Sequence, residues 1–143
     1  MMTAYEFSLQ YAIIDKNLRK LVQNNKFALT LQLLDRVQSL HKVGYIHYDI
    51  KPENICINGL SSCSKMTPEL FLIDFGLSQR YLTDAGAHVP KVYYREFTGN
   101  LPFASLGACR LRSIARTDDF ESVFYILIFL INDFILPWED VIE

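Results

Sequence analysis

The chain has 143 residues, a formal net charge of -2, and is 50% hydrophobic, 21% charged and 13% aromatic. That length suits one domain or part of one, and the apolar fraction is enough for a packed core. The slight acidic balance argues against a general nucleic-acid binder, which needs a basic surface. The longest unbroken apolar run is Val123–Ile131, far short of the roughly 20 residues of a membrane helix, so no membrane partner is expected. The opening MMTAYEFSLQ has no basic region followed by an apolar stretch and does not read as a signal peptide. Three widely spaced cysteines with no CxxC pair argue against a disulfide framework or a zinc site, and suggest a reducing intracellular setting.

In chain order, Leu9–Ile14 is a short apolar run that reads as a buried strand. Leu29, Leu33, Val37 and Leu40 recur at helical spacing, with polar residues between them. They predict an amphipathic helix of about four turns. Gly44, two residues after Lys42, is a candidate left-handed stop. Residues 45–57 are too polar for a core helix, and Pro52 would break one. They read as a loop ending in a short strand, Ile55–Ile57. Asn58-Gly59 marks a turn, residues 61–68 a polar loop, and Leu70–Ile73 a second strand, so the two strands can pair as a hairpin. Residues 75–106 show no clear period and read as one long ordered loop, a length that points to function. Asp118-Asp119 opens a helix to about Ile131, acidic where the helix dipole favours it. Its later half is apolar on every side and predicts a buried central helix.

The chemistry-bearing stretch is His47-Tyr48-Asp49-Ile50-Lys51-Pro52-Glu53-Asn54, followed by Asp74-Phe75-Gly76. It resembles the catalytic loop and metal-binding turn of protein kinases. Five residue types at fixed spacing carry the likeness; an Asp-Phe-Gly alone would be weak. Further along stand Leu72–Tyr81 (LIDFGLSQRY), Thr98-Gly99, Ala104-Ser105-Leu106, Arg116–Ser122 (RTDDFES) and Leu136-Pro137-Trp138. This series is similar to that of the casein kinase I family and covers roughly residues 9–143.

The resemblance implies a serine/threonine protein kinase that uses ATP and Mg²⁺ and takes a protein substrate. Asp49 would receive or orient the proton of the attacking hydroxyl, and Lys51 would balance charge on the phosphoryl group. Asn54 and Asp74 would offer oxygen ligands to Mg²⁺, a hard cation. Gly76 would permit the turn that aims Asp74. Ile55, Cys56 and Ile57 would floor the nucleotide, with Cys56 nearest the adenine. His47 would pack in support of the site, Phe75 would sit in the core, and Asp119 would bond the catalytic-loop backbone from beneath. The implied fold is mainly α with a small antiparallel β hairpin, the C-terminal lobe of the kinase fold, truncated at both ends. Residues 9–16 would be the last upper-lobe strand and hinge, and residues 17–143 the lower lobe. The implied location is the cytoplasm or nucleus.

Four departures qualify this reading. Tyr48 stands at the arginine position of His-Arg-Asp. Asn100 stands where the family usually has a threonine that contacts the catalytic Asp and Lys. Pro102 replaces an arginine that helps bind acidic substrates, a role Arg110, Arg112 and Arg116 could take over. No GxGxxG loop and no Val-Ala-Ile-Lys strand is present in the chain. The last two absences imply a chain inactive by itself. The rival reading is a pseudokinase or interaction module that keeps the fold without turnover.

Overall fold

The computed structural model describes residues 7–59, 68–90, 93, 96–113 and 115–142. Strand β1 (Phe7–Ser8) leads straight into helix α1 (Leu9–Ile14), capped by Ser8 Oγ, which accepts from the Tyr11 N–H at 3.1 Å. The run expected as a strand is therefore helical. Its buried residues Leu9, Ala12 and Ile13 lie three and four apart, while Ile14 is 72% exposed. An apolar run this short does not distinguish the two periods, and the Ser8 cap decides it.

Asp15 ends α1 and caps α2 (Lys16–Lys42), its Oδ1 accepting from Asn17 N and Leu18 N at 2.9 and 3.0 Å. At 27 residues, α2 is about twice the expected length. Its first half carries Arg19, Lys20, Gln23, Asn24 and Asn25, so no apolar stripe announces it. Long-range contacts hold it instead. Gln23 Nε2 donates to the Leu130 carbonyl at 2.9 Å, and the Arg19 guanidinium donates to the Asp133 carbonyl and lies 4.6 Å over the Phe134 ring. Gly44 stops the helix at φ +90°, its N–H returning to the His41 carbonyl at 3.0 Å.

The loop 45–57 contains β2 (Tyr45–Ile46) and a 3-10 turn at Pro52–Asn54, then enters β3 (Ile55–Asn58). β3 pairs antiparallel with β4 (Glu69–Leu72), Ile55 opposite Leu72. The expected hairpin has a third strand, since β1 pairs along the other edge of β3, Phe7 opposite Ile57. Residues 60–67 of the connecting loop lie outside the described residues. The long segment after Phe75 is less irregular than expected. It holds β5 (Gln79–Arg80), which pairs antiparallel with β2, a 3-10 turn at Leu101–Phe103 and the short helix α3 (Leu106–Cys109).

Helix α4 (Arg116–Ile131) packs against α2, and the short α5 (Glu139–Ile142) follows. α4 buries Val123, Ile126, Phe129 and Leu130, but Phe124 is 60% and Ile131 51% exposed. The all-apolar half is thus covered on one side only, because α2 and the sheet occupy that side. Leu29 and Leu33 of α2, Ile55 and Ile57 of β3, Leu70 of β4 and Ile126 of α4 meet in one core. The architecture is mainly α with small antiparallel sheets, and it leaves the loop 47–54 suspended between β2, β3 and the first turn of α4.

Candidate functional site

Asp119 organises the loop. It is almost completely buried at the start of α4. Its Oδ2 accepts from the backbone N–H of His47 at 2.8 Å and from His41 Nε2 at 2.8 Å; its Oδ1 accepts from the Tyr48 N–H at 2.9 Å. These bonds hold Tyr48 at φ +69°, a left-handed conformation costly for a bulky residue. Asp49, which follows, is thereby fixed in place.

His47 is fully buried. Its Nε2 lies 3.0 Å from the Ile73 carbonyl and must donate there. Its Nδ1 then accepts from the Asp49 N–H at 3.3 Å. One neutral tautomer meets both demands. Burial pushes the His47 pKa below the usual imidazole value, against the pull of the Ile73 bond and of the Asp119, Asp49 and Asp74 carboxylates. The ring also meets Phe75 edge-on, centroids 5.1 Å apart. Phe75 is nonetheless 51% exposed, so it supports His47 without entering the core as expected.

Asp49 is 7% exposed. Its Oδ2 accepts from Lys51 Nζ at 2.7 Å and Asn54 Nδ2 at 2.9 Å. Asn54 Nδ2 also donates to the Asp49 carbonyl at 2.8 Å. Asp49 Oδ1 is buried with no hydrogen-bond partner among the described residues. The arrangement presents one unoccupied carboxylate oxygen while the other is held by a cation and an amide.

The Asn54 carbonyl accepts from Ile73 N at 2.9 Å, which brings the 74–76 turn beside the loop. Asp74 follows at φ +59°, exposed, its Oδ1 accepting from Gly76 N at 3.2 Å. A Cβ on Gly76 would come within 3.1 Å of that oxygen, so glycine leaves the Asp74 carboxylate its place. Asn54, its amide hydrogens turned to Asp49, has Oδ1 left as its acceptor. Among the described residues no three of His, Cys, Asp and Glu form a metal cage. The pair Asn54 and Asp74 is of the kind that suits Mg²⁺, which takes one or two protein oxygens and shares the rest with phosphate and water.

The expected nucleotide floor narrows. Ile55 and Ile57 are fully buried in the core with Leu29, Leu33 and Leu70. Strand alternation turns Cys56 to the other face, and it alone of the three can serve a floor. It is 6% exposed, and burial raises its thiol pKa, so it acts as an apolar contact.

On the other flank, Thr98-Gly99-Asn100 passes the 47–54 loop closely. Gly99 has φ +116°, and a Cβ there would lie 3.6 Å from the Tyr48 carbonyl. Asn100 Oδ1 is buried with no hydrogen-bond partner among the described residues. Pro102 lies in the 3-10 turn, its carbonyl accepting from Trp138 Nε1 at 2.9 Å. The basic residues Arg112 and Arg116 have different neighbours: Arg112 pairs through its backbone with Tyr93, and Arg116 lies 5.0 Å over the Tyr81 ring. His41 escaped the sequence reading. Its signal was present, since it falls four residues after Val37 on the buried stripe of α2.

A family model described as fungal protein kinase matches residues 25–131. The chain is 32% identical over 126 residues to a protein of Encephalitozoon cuniculi (strain GB-M1) described as a probable casein kinase I homolog. The match covers 88% of this chain and 37% of that protein, so the chain spans little more than a third of its curated relative.

Proposed function

From the premise that this chain belongs to the protein kinase family, we propose that it carries the catalytic floor of a serine/threonine kinase of casein kinase I type. The protein containing it transfers the γ-phosphoryl group of ATP to a hydroxyl of a protein substrate. The observation that carries this is the asymmetry of Asp49. Lys51 and Asn54 occupy Oδ2, and Oδ1 is buried with no partner among the described residues.

In this reading Oδ1 accepts the hydrogen of the attacking hydroxyl and aims its oxygen lone pair. Lys51 holds Oδ2 and contributes positive charge beside the transferred group. Asn54 keeps the carboxylate plane fixed through its two amide bonds. Asn54 Oδ1 and Asp74 would hold Mg²⁺, which supplies charge neutralisation on the phosphates. Cys56 lies toward the base. Asp119 and His47 hold the loop without touching substrate. The lack of a GxGxxG loop and of a strand lysine supports a chain that is inactive alone, since those parts clamp the phosphates. The location that goes with this chemistry is the cytoplasm or nucleus.

The test uses the full-length protein that contains the chain. Asp49→Asn is expected to lower kcat by about 10²–10⁴ while leaving the KM for ATP within a few-fold. Unchanged turnover overturns the role of Asp49. The chain alone, residues 1–143, is expected to show no rise in thermal midpoint with MgATP; a rise would make it a self-sufficient nucleotide binder.

A further inference from the structure

A groove of about 470 Å³ opens where the last turn of α2 meets Tyr81 and the start of α4. That volume lies within the roughly 300–1,000 Å³ of sites that take small molecules. The groove shares no lining residue with the 47–54 loop, so it is separate from the site described above. Two half-buried rings, Tyr81 and Phe120, give it an aromatic floor. The buried His41 ring stands against them, meeting Phe120 edge-on with centroids 5.1 Å apart. Lys42 and Arg116, both exposed, bring two cations to the rim. Neither enters an ion pair among the described residues, and no acidic residue is among those lining the groove. The Arg116 guanidinium lies 5.0 Å over the Tyr81 ring, and Tyr81 is anchored by its hydroxyl, which donates to the His41 carbonyl at 2.6 Å. Stacking fixes the guanidinium plane and leaves its edge of paired N–H donors for an oxyanion.

We propose that this groove binds an aromatic group that carries a phosphate. An aromatic floor beside two uncompensated cations is complementary to a ligand with the same two parts, a flat apolar body and a concentrated negative charge. The ring covers Tyr81 and Phe120 and removes their apolar surface from water. The phosphate, close to doubly charged above its second pKa of about 6, meets Arg116 through paired N–H groups and Lys42 as a point charge. A carboxylate brings one charge to two cations and fits less well. Occupancy reaches the 47–54 loop through one side chain. His41 Nε2 bonds Asp119 Oδ2 at 2.8 Å, and Asp119 also accepts the His47 and Tyr48 N–H groups. A ligand seated on Tyr81 and Phe120 presses on the residues that fix His41, and the loop registers it.

An NMR titration of the isotope-labelled full chain with phenyl phosphate, above the second phosphate pKa, tests the site without requiring activity, so the kinase reading does not enter its outcome. The expected result is saturable shifts of the Arg116, Thr117 and Phe120 amide signals with a Kd below about 1 mM. The His47 and Tyr48 amides are expected to shift with the same midpoint. Inorganic phosphate and benzyl alcohol, each one half of the ligand, are expected to bind at least about 10-fold more weakly. Arg116→Gln and Lys42→Gln should each weaken phenyl phosphate about 10-fold, and Arg116→Lys should lose less than Arg116→Gln. No saturable binding, inorganic phosphate binding as well as phenyl phosphate, or both charge-removing variants binding like the wild type overturns the proposal. Shifts at the groove with His47 and Tyr48 unmoved overturn its link to the loop. A capped phosphotyrosine separates the two sources of such a group: tighter binding than phenyl phosphate assigns a protein side chain, weaker binding a free compound, and either supports the site.

Discussion

The carboxylate of Asp119 accepts the backbone N–H of His47 at 2.8 Å across 72 residues of sequence. With its bonds to Tyr48 N and His41 Nε2, it satisfies three donors from two segments. Asp119→Ala leaves those donors buried without partners, each worth about 1–3 kcal/mol. The expected loss is at least about 3 kcal/mol, a large part of a typical net stability of about 5–15 kcal/mol. Chemical denaturation of the chain checks it; a loss under 1 kcal/mol would mean the loop is held by other contacts.

His47 ties stability to pH. Its folded pKa lies below its ordinary value near 6.5 because burial disfavours the charged ring. Between those two values the unfolded chain binds more protons than the folded one. Stability is therefore complete above about pH 7. It falls as pH drops through 6.5, by at most about 1.4 kcal/mol per unit, and levels off below the folded pKa. His47→Phe is expected to flatten this slope. Denaturant titrations of both proteins between pH 7.5 and 5 measure it, and identical slopes would refute the assignment.

A Cβ on Gly107 would collide with Asp118 Oδ1 and come within 3.0 Å of Arg112 Nη2. Asp118 cannot yield freely. Its Oδ1 accepts from Ser105 Oγ and its Oδ2 from the Ala115 N–H, both at 2.6 Å. Gly107→Ala should therefore destabilise by about 1–3 kcal/mol despite alanine's better helix propensity. A thermal midpoint equal to the wild type would show that Asp118 relaxes at no cost.

Phe124 is 60% exposed on the outer face of α4. Phe124→Lys is expected to change stability by no more than about 0.5 kcal/mol and to raise solubility, since it removes apolar surface open to self-association. Denaturation and light scattering at increasing concentration report the two effects separately. A loss above 1.5 kcal/mol would place this face in the core.

The elements legible in the sequence were those governed by local chemistry. Gly44 had to stop a helix, the β3–β4 pair followed from two apolar runs around a turn, and the family from five residue types at fixed spacing. Period and turn chemistry act within a few residues, so they can be read along the chain. Leu9–Ile14 misled because a six-residue, mostly apolar run suits a strand or a helix equally until Ser8 caps it. The polar half of α2 was hidden because its support comes from the far end of α4, through Gln23 and Leu130.

Only the tertiary structure decided the rest. It set which face of α4 is buried, which of Ile55, Cys56 and Ile57 leaves the core, and that His41 shares the Asp119 carboxylate. It also set the two oxygens of Asp49 apart, one engaged and one without a partner among the described residues. These are relations between segments tens of residues apart. Their energies come from burial and from hydrogen bonds between groups that meet only after the chain has closed on itself, and no spacing along the sequence encodes them.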